Sequence, residues 1–169
     1  MSLFSQKINE EMRRLSTLPR IMFYGQSVKY DGAAIYRSLE GVPMDLRVEM
    51  PVAEEFQMGF CIGASLAGVV PVCIYPRMDF MLLCLNQLVN HLDKLPLFGW
   101  RPKIIIRTTV GGKTPLDAGP QHTQNHVASF GKMLSSVEVI EVNTPEQIGK
   151  AYQHAANSMG STLVVENPK

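Results

Sequence analysis

No stretch of this chain stays apolar for the roughly 20 residues that a bilayer-spanning helix requires, so no membrane span is expected. Cysteine is scarce: Cys61, Cys73 and Cys84 are odd in number, lack C-x-x-C spacing and each sit inside an apolar run. Neither a disulfide framework nor a zinc site is therefore expected, and the three read as small buried hydrophobes. An excess of either charge is also missing, because 16 basic residues meet 15 acidic ones. That balance gives no electrostatic case for nucleic acid or an anionic membrane as partner. The first residues, MSLFSQKINEEMRRL, place charges where a signal peptide needs an apolar core. A reducing cytoplasm is the expected compartment. No repeat, linker or low-complexity segment interrupts the chain.

What is present is a run of alternating elements. The 169 residues suffice for one domain with its own core, expected over 1–169. Residues 5–17 read as an amphipathic helix with Ile8, Met12 and Leu15 on one side. IMFYG (21–25) and LRVEM (46–50) read as strands, separated by a polar stretch with a turn at Asp31-Gly32. Residues 53–68 predict a helix that is apolar on most sides and hence buried, with Gly59 and Gly63 on one face for a tight helix contact. A strand over 69–75 and a helix over 79–95, with Asp79 as its N-cap, come next. Strands over 102–109, 137–142 and 161–167 alternate with helices over 122–134 and from Thr144 to about Ser158; Thr144 caps the latter and Pro145 opens it. Short apolar strands alternating with helices imply an α/β fold, a three-layer α/β/α sandwich around a mostly parallel doubly wound sheet.

The segment IIIRTTVGGKT (104–114) looks at first like a phosphate-binding loop. The G-x-x-x-x-G-K-[ST] pattern needs a glycine five residues before Gly112, and Arg107 stands there. It also needs a helix to begin at the lysine, whereas Pro115 follows Lys113-Thr114. Nucleotide binding by this loop is not expected; the glycines suit a strand that ends in an active-site loop.

Five stretches, taken together and in order, carry a resemblance. YGQSVKYDGA, MPVAEEFQMGFCIGASLAG, IYPRMDFMLLCLNQLVN, GPQHTQ and STLVVEN are similar to consecutive segments of thiamine-diphosphate enzymes. They most resemble the pyrimidine-binding domain in the beta subunit of the decarboxylating component of 2-oxoacid dehydrogenases. The likeness runs from about residue 20 to 167.

The resemblance implies a cofactor, thiamine diphosphate, and places three residues against it. Glu54 matches the glutamate beside the aminopyrimidine ring, which activates the cofactor. Phe80 matches the aromatic packed on that ring, and His122 the histidine that contacts substrate or intermediate. No metal ligand is implied in this chain. Read from the residues alone, each has a plainer alternative: Glu54 as a carboxylate favoured at a helix N-terminus, Phe80 as core packing, His122 as a loop histidine. His126 is read as supporting or solvated, and His91 and His154 as surface residues.

The chain also departs from the family. It has no GDG motif, the mark of the module that binds diphosphate and magnesium, and it lacks the domain that normally follows. Gln26 and Ser27 stand where the family has two acids. The resemblance thus implies half an active site: a partner subunit would hold the magnesium and diphosphate, in a heterotetramer built on a homodimer of this chain. The apolar helices 53–68 and 79–95 are the expected contacts with a like domain. The implied activity is that of a 2-oxoacid dehydrogenase or decarboxylase subunit acting on a small 2-oxoacid. A transketolase-like ketol-transfer subunit, a non-catalytic assembly or regulatory subunit, and a nucleotide- or flavin-binding module are the alternatives.

Overall fold

The computed structural model describes residues 2–112 and 117–168. Residues Lys113, Thr114, Pro115 and Leu116, on which the phosphate-loop question partly turns, lie outside the described residues.

Among the described residues six strands form one sheet: β1 (Ile21–Gly25), β2 (Arg47–Glu49), β3 (Val70–Tyr75), β4 (Ile105–Thr109), β5 (Glu138–Val142) and β6 (Thr162–Glu166). Their order is β2-β1-β3-β4-β6-β5 and every neighbouring pair is parallel. Side chains alternate across it with the period of two that a strand dictates. Val72, Ile74, Ile105 and Val164 face α1 (Leu3–Leu15), the short α2 (Ala34–Ser38) and α5 (Pro145–Asn157). Cys73, Tyr75, Ile106, Leu163 and Val165 face α3 (Glu54–Leu66), α4 (Val127–Met133) and the helical segment 78–92. The predicted three-layer, doubly wound arrangement is what the structure shows.

Local sequence accounts for most boundaries. In α1, Ile8, Met12 and Leu15 are buried on one stripe, and Ser2 caps the helix by accepting from Ser5 N. At α5, Pro145 takes the first helical position, while Gln147 Oε1 accepts from Thr144 N at 3.1 Å and Asn143 N at 2.7 Å.

Three expectations are corrected. Residues 79–95 are not one α-helix: Met78–Cys84 wind as a 3₁₀ helix and Asn86–Leu92 as a π-helix. The buried positions explain the change of winding, since Met78, Met81 and Cys84 recur every third residue and Cys84, Leu88 and Leu92 every fourth. Asp79 does not cap this segment; it is buried, and its carboxylate is turned to Gln124. The helix expected over 122–134 starts only at Val127. Upstream, the amide of Gln124 donates to Asp79, that of His126 to Met78 and that of Val127 to Asn125, so none joins a helical ladder.

The expected burial of α3 holds for one side. Met58, Cys61 and Ile62 are in the core, but Val52 before the helix, and Phe56, Phe60 and Leu66 on it, are exposed. Gly59 meets the Gln87 side chain at contact distance, whereas Gly63 faces open space. The three cysteines are free and buried, and burial pushes the Cys84 thiol up to about 12, which leaves it unreactive at neutral pH.

The far end of the 78–92 segment is pinned by Asp93. Its buried Oδ1 accepts from the amides of Ser135, Ser136 and Val137 at 2.8, 2.7 and 3.0 Å, and Lys94 pairs with its Oδ2 at 2.7 Å. Burial alone would raise the carboxyl, but Lys94 and the three amides outweigh it and hold Asp93 below the ordinary value of 3.8. A depressed folded-state value stabilises the fold above the unfolded-state value and is lost as pH falls through the folded one. Urea midpoints should therefore drop as the pH is lowered below about 4. Asp93→Asn should be less stable at pH 7 and lose part of that acid dependence.

Candidate functional site

In a parallel doubly wound sheet the ligand crevice lies beyond the carboxyl ends of the strands, where consecutive connections leave on opposite faces. Here that point is between β1 and β3: the chain goes from β1 to its neighbour β2 past α2 on one face, then to β3 past α3 on the other. The residues singled out from the sequence follow those strand ends.

Gly25 ends β1, paired with Ile74 of β3; a β-carbon on it would lie 2.8 Å from the Ile74 carbonyl oxygen. The next turn is strained and gripped. Ser27 has φ 60°, and Glu49 at the end of β2 accepts from Ser27 N at 2.5 Å and Lys29 N at 2.9 Å. This turn presents Gln26, whose amide donates to Glu54 Oε1 at 3.0 Å. Glu54 opens α3, buried, and its backbone carbonyl accepts from the Tyr75 hydroxyl at 3.1 Å. Strands β1 and β3 thus both hold the first residue of α3.

Beyond β3, Phe80 lies half-buried on the 3₁₀ turn and meets the His122 ring edge-on, centroids 5.4 Å apart. His122 follows β4 through the loop that begins at Val110. The structure brings Phe80 and His122 together. It places Glu54 on the neighbouring element, since α3 packs against the 78–84 turn. Among the described residues, His122 Nδ1 and His126 Nε2 are buried without a partner, as is Asp79 Oδ2. His126 is thus half-buried in this loop, while His91 and His154 are exposed, the latter against Glu138 at 2.6 Å.

Gly111 explains the glycines of the opening motif. A β-carbon there would fall on the His122 carbonyl oxygen, far inside van der Waals contact, and 3.3 Å from Arg77 Nε. The glycine lets the strand end and the histidine loop touch backbone to backbone, a requirement of packing rather than of phosphate binding. Gly111→Ala should displace His122 by an ångström or so and cost about 10²-fold in any activity that uses it, as read by steady-state rates.

Sequence reasoning missed the parts Arg77 and Asp79 play here. Arg77 borders the Gly111 contact, and among the described residues no acidic side chain pairs with it. The polar pair Arg77 and Asp79 in an otherwise apolar stretch, RMDFMLLC, was the available signal. A separate cleft of about 200 Å³, lined by Arg101, Pro102, Ser136 and Ser161, opens at the amino ends of β4, β5 and β6, the other end of the strands from these groups.

Comparison with known proteins bears on the fold. No family model matches the chain. It is 29% identical over 168 residues to a protein named pyruvate dehydrogenase E1 component subunit beta from Staurastrum punctulatum, covering 95% of this chain and 47% of that one. The human mitochondrial protein of the same name is 26% identical over 169 residues, with 96% and 45% covered. This chain is thus similar to proteins named pyruvate dehydrogenase E1 component subunit beta. It spans less than half the length of the curated relatives it matches. In fold it is similar to a transketolase from Campylobacter jejuni, with a TM-score of 0.77 over 95% of this chain and 25% of that one, at 13% identity. A split-gene transketolase described as an inactive beta4 tetramer gives a TM-score of 0.73 over 98% and 51%, at 17% identity. The relatives are subunits of an enzyme, and the fold is that of transketolase. No helix among the described residues is long and apolar enough to cross a membrane.

Proposed function

We propose that this chain is one domain, of the transketolase-like pyrimidine type, that supplies the aminopyrimidine-binding half of a thiamine-diphosphate-dependent active site acting on a small 2-oxoacid. The observation that carries the reading is the start of α3: a buried Glu54 whose carboxylate is held by Gln26 and whose backbone carbonyl is held by Tyr75, at the switch point of the sheet, beside a turn that presents an aromatic ring to a histidine. These residues fit the group. Glu54 is an acceptor or proton donor for a ring nitrogen, and Phe80 is a half-exposed flat surface for a heterocycle. The bound cofactor supplies a carbanion centre. This chain's share is to hold the ring, to hold or move a proton at Glu54, and to offer His122 to the substrate.

Arg77 supports an anionic substrate, since its guanidinium stands beside the histidine loop without a carboxylate partner among the described residues and can receive one from a 2-oxoacid. A ketose gives it nothing to pair with. The exposed stripe of Val52, Phe56, Phe60 and Leu66, continued by Leu82 and Leu83, supports a protein partner over the open side of the site. That partner would carry the diphosphate and magnesium, in a heterotetramer around a dimer of this chain. Three free thiols suit a reducing compartment such as the cytoplasm.

A second reading, an assembly subunit without turnover, is favoured by Gln26, an amide where the resemblance expects an acid. Co-purification of the tagged chain from its source, with thiamine diphosphate and magnesium, separates the two. The proposal expects a stoichiometric partner and 2-oxoacid consumption that needs both chains. A partner that binds while turnover ignores this chain's Glu54 would establish the second reading instead.

A further inference from the structure

Three consecutive residues of the 3₁₀ turn hold three alternate residues of the histidine loop. Met78 Sδ accepts from His126 N at 3.3 Å, Asp79 Oδ1 accepts from Gln124 N at 3.3 Å and Gln124 Nε2 at 3.0 Å, and the Phe80 ring abuts His122. The turn and the loop thus run side by side as a latch. Its centre is the one acidic member. Asp79 is 8% exposed, and its second oxygen is buried with no donor among the described residues.

A residue kept for packing alone at this position would be apolar, as Met78, Phe80 and Met81 around it are. A buried carboxylate with one idle oxygen is costly, and such a cost is tolerated where the group holds something that apolar contact cannot. A methionine sulfur and a ring edge leave the loop free to slide. A charged oxygen shared by a backbone amide and its own side-chain amide fixes both position and register. From this geometry we infer that Asp79 is the positioning residue for His122: it clamps Gln124 and so sets the imidazole against Phe80. The idle Oδ2, with the unpartnered His122 Nδ1 and His126 Nε2 on the same loop, gives the clamp room to tighten when the site is occupied. This inference rests on the functional reading above only for its kinetic consequence; the clamp itself is a property of the free chain.

The test uses the full chain, isotope-labelled, as wild type, Asp79→Asn, Asp79→Ala and Gln124→Ala, with urea titrations confirming that each folds. In Asp79→Ala the nuclear Overhauser contacts between the Phe80 and His122 rings should vanish, and the Gln124 amide should exchange about tenfold faster. Asp79→Asn, which keeps one acceptor oxygen, should retain the ring contact. Gln124→Ala, at an exposed position, should weaken it even if Asp79→Ala does not fold. In the reconstituted complex, Asp79→Ala should lower kcat about 10–100-fold with little change in KM, and should add nothing in a His122→Ala background. Survival of the ring contacts in Asp79→Ala and Gln124→Ala, or fully additive losses in the double variant, would overturn the inference. A complex without turnover in any form would count against the functional reading, while the ring contacts would still decide the role of Asp79.

Discussion

Replacing Arg107 by alanine should cost about 3–5 kcal/mol of folding stability, the usual penalty for stranding one partner of a buried ion pair. Arg107 on β4 and Glu166 on β6 are paired across the sheet, with Nε at 2.7 Å from Oε1 and Nη2 at 3.2 Å from Oε2. Both are buried. The Tyr152 hydroxyl donates to Oε1 at 2.6 Å, Thr109 to Oε2 at 3.2 Å, and Arg107 Nη1 reaches Ser38 at 2.7 Å. Burial alone would lower the guanidinium, but the Glu166 carboxylate keeps it above its ordinary value; burial and the same charge push the Tyr152 phenol well up. The guanidinium therefore stays charged and the phenol neutral at any ordinary pH. It ties α2, β4, α5 and β6 together one strand away from the site. Urea unfolding of Arg107→Ala should show the loss, and replacement of both partners by methionine should recover much of it, because no charge is then left unpaired. A loss under about 1 kcal/mol in the single variant would mean that the pair behaves as a surface bridge.

The same pair shows where sequence reading stops. The strands were legible because runs such as VVPVCIY and TLVVE fit a sheet covered on both faces. IIIRTT and TLVVE each carry one charge inside an apolar run, but nothing in one dimension says that the two meet across 59 positions. The helices α1 and α5 were legible from a single apolar stripe and a proline start. The 78–92 segment was not, because a run apolar at both three- and four-residue spacing fits several windings, and the choice falls to its neighbours. Glu54, Phe80 and His122 were reached through the likeness of five short stretches. The structure adds that Phe80 and His122 touch and that Gln26, noted only as a missing acid, bonds Glu54. Asp79 was misassigned as a cap because an aspartate ahead of an apolar run has the same local signature whether it turns to its own helix or to a loop 45 residues away.

The sharpest functional prediction concerns Glu54. If this carboxyl exchanges protons with the bound ring, Glu54→Gln should lower 2-oxoacid turnover by the reconstituted complex about 10²–10⁴-fold, the range for a general acid–base group. The substitution keeps the shape of the side chain and leaves an oxygen for the Gln26 amide, so position is preserved while proton exchange is lost. If instead the residue only favours the N-terminus of α3, the loss should appear in stability, at about 0.3–1 kcal/mol, with turnover intact. Glu55 provides the control. It is exposed one residue along the same helix end, 3.4 Å from the Asn86 amide, and Glu55→Gln should give the dipole effect alone. Gln26→Ala should lie between them, because it frees the Glu54 carboxylate to rotate without removing it. Steady-state rates and urea midpoints on the same preparations separate the outcomes. Full turnover in Glu54→Gln would remove this residue from the chemistry and leave the chain as a partner in assembly. A deep loss in Glu54→Gln, a shallow one in Gln26→Ala and none in Glu55→Gln would mean that the site requires the Glu54 carboxyl and its proton exchange, rather than its exact placement or a charge at the start of α3.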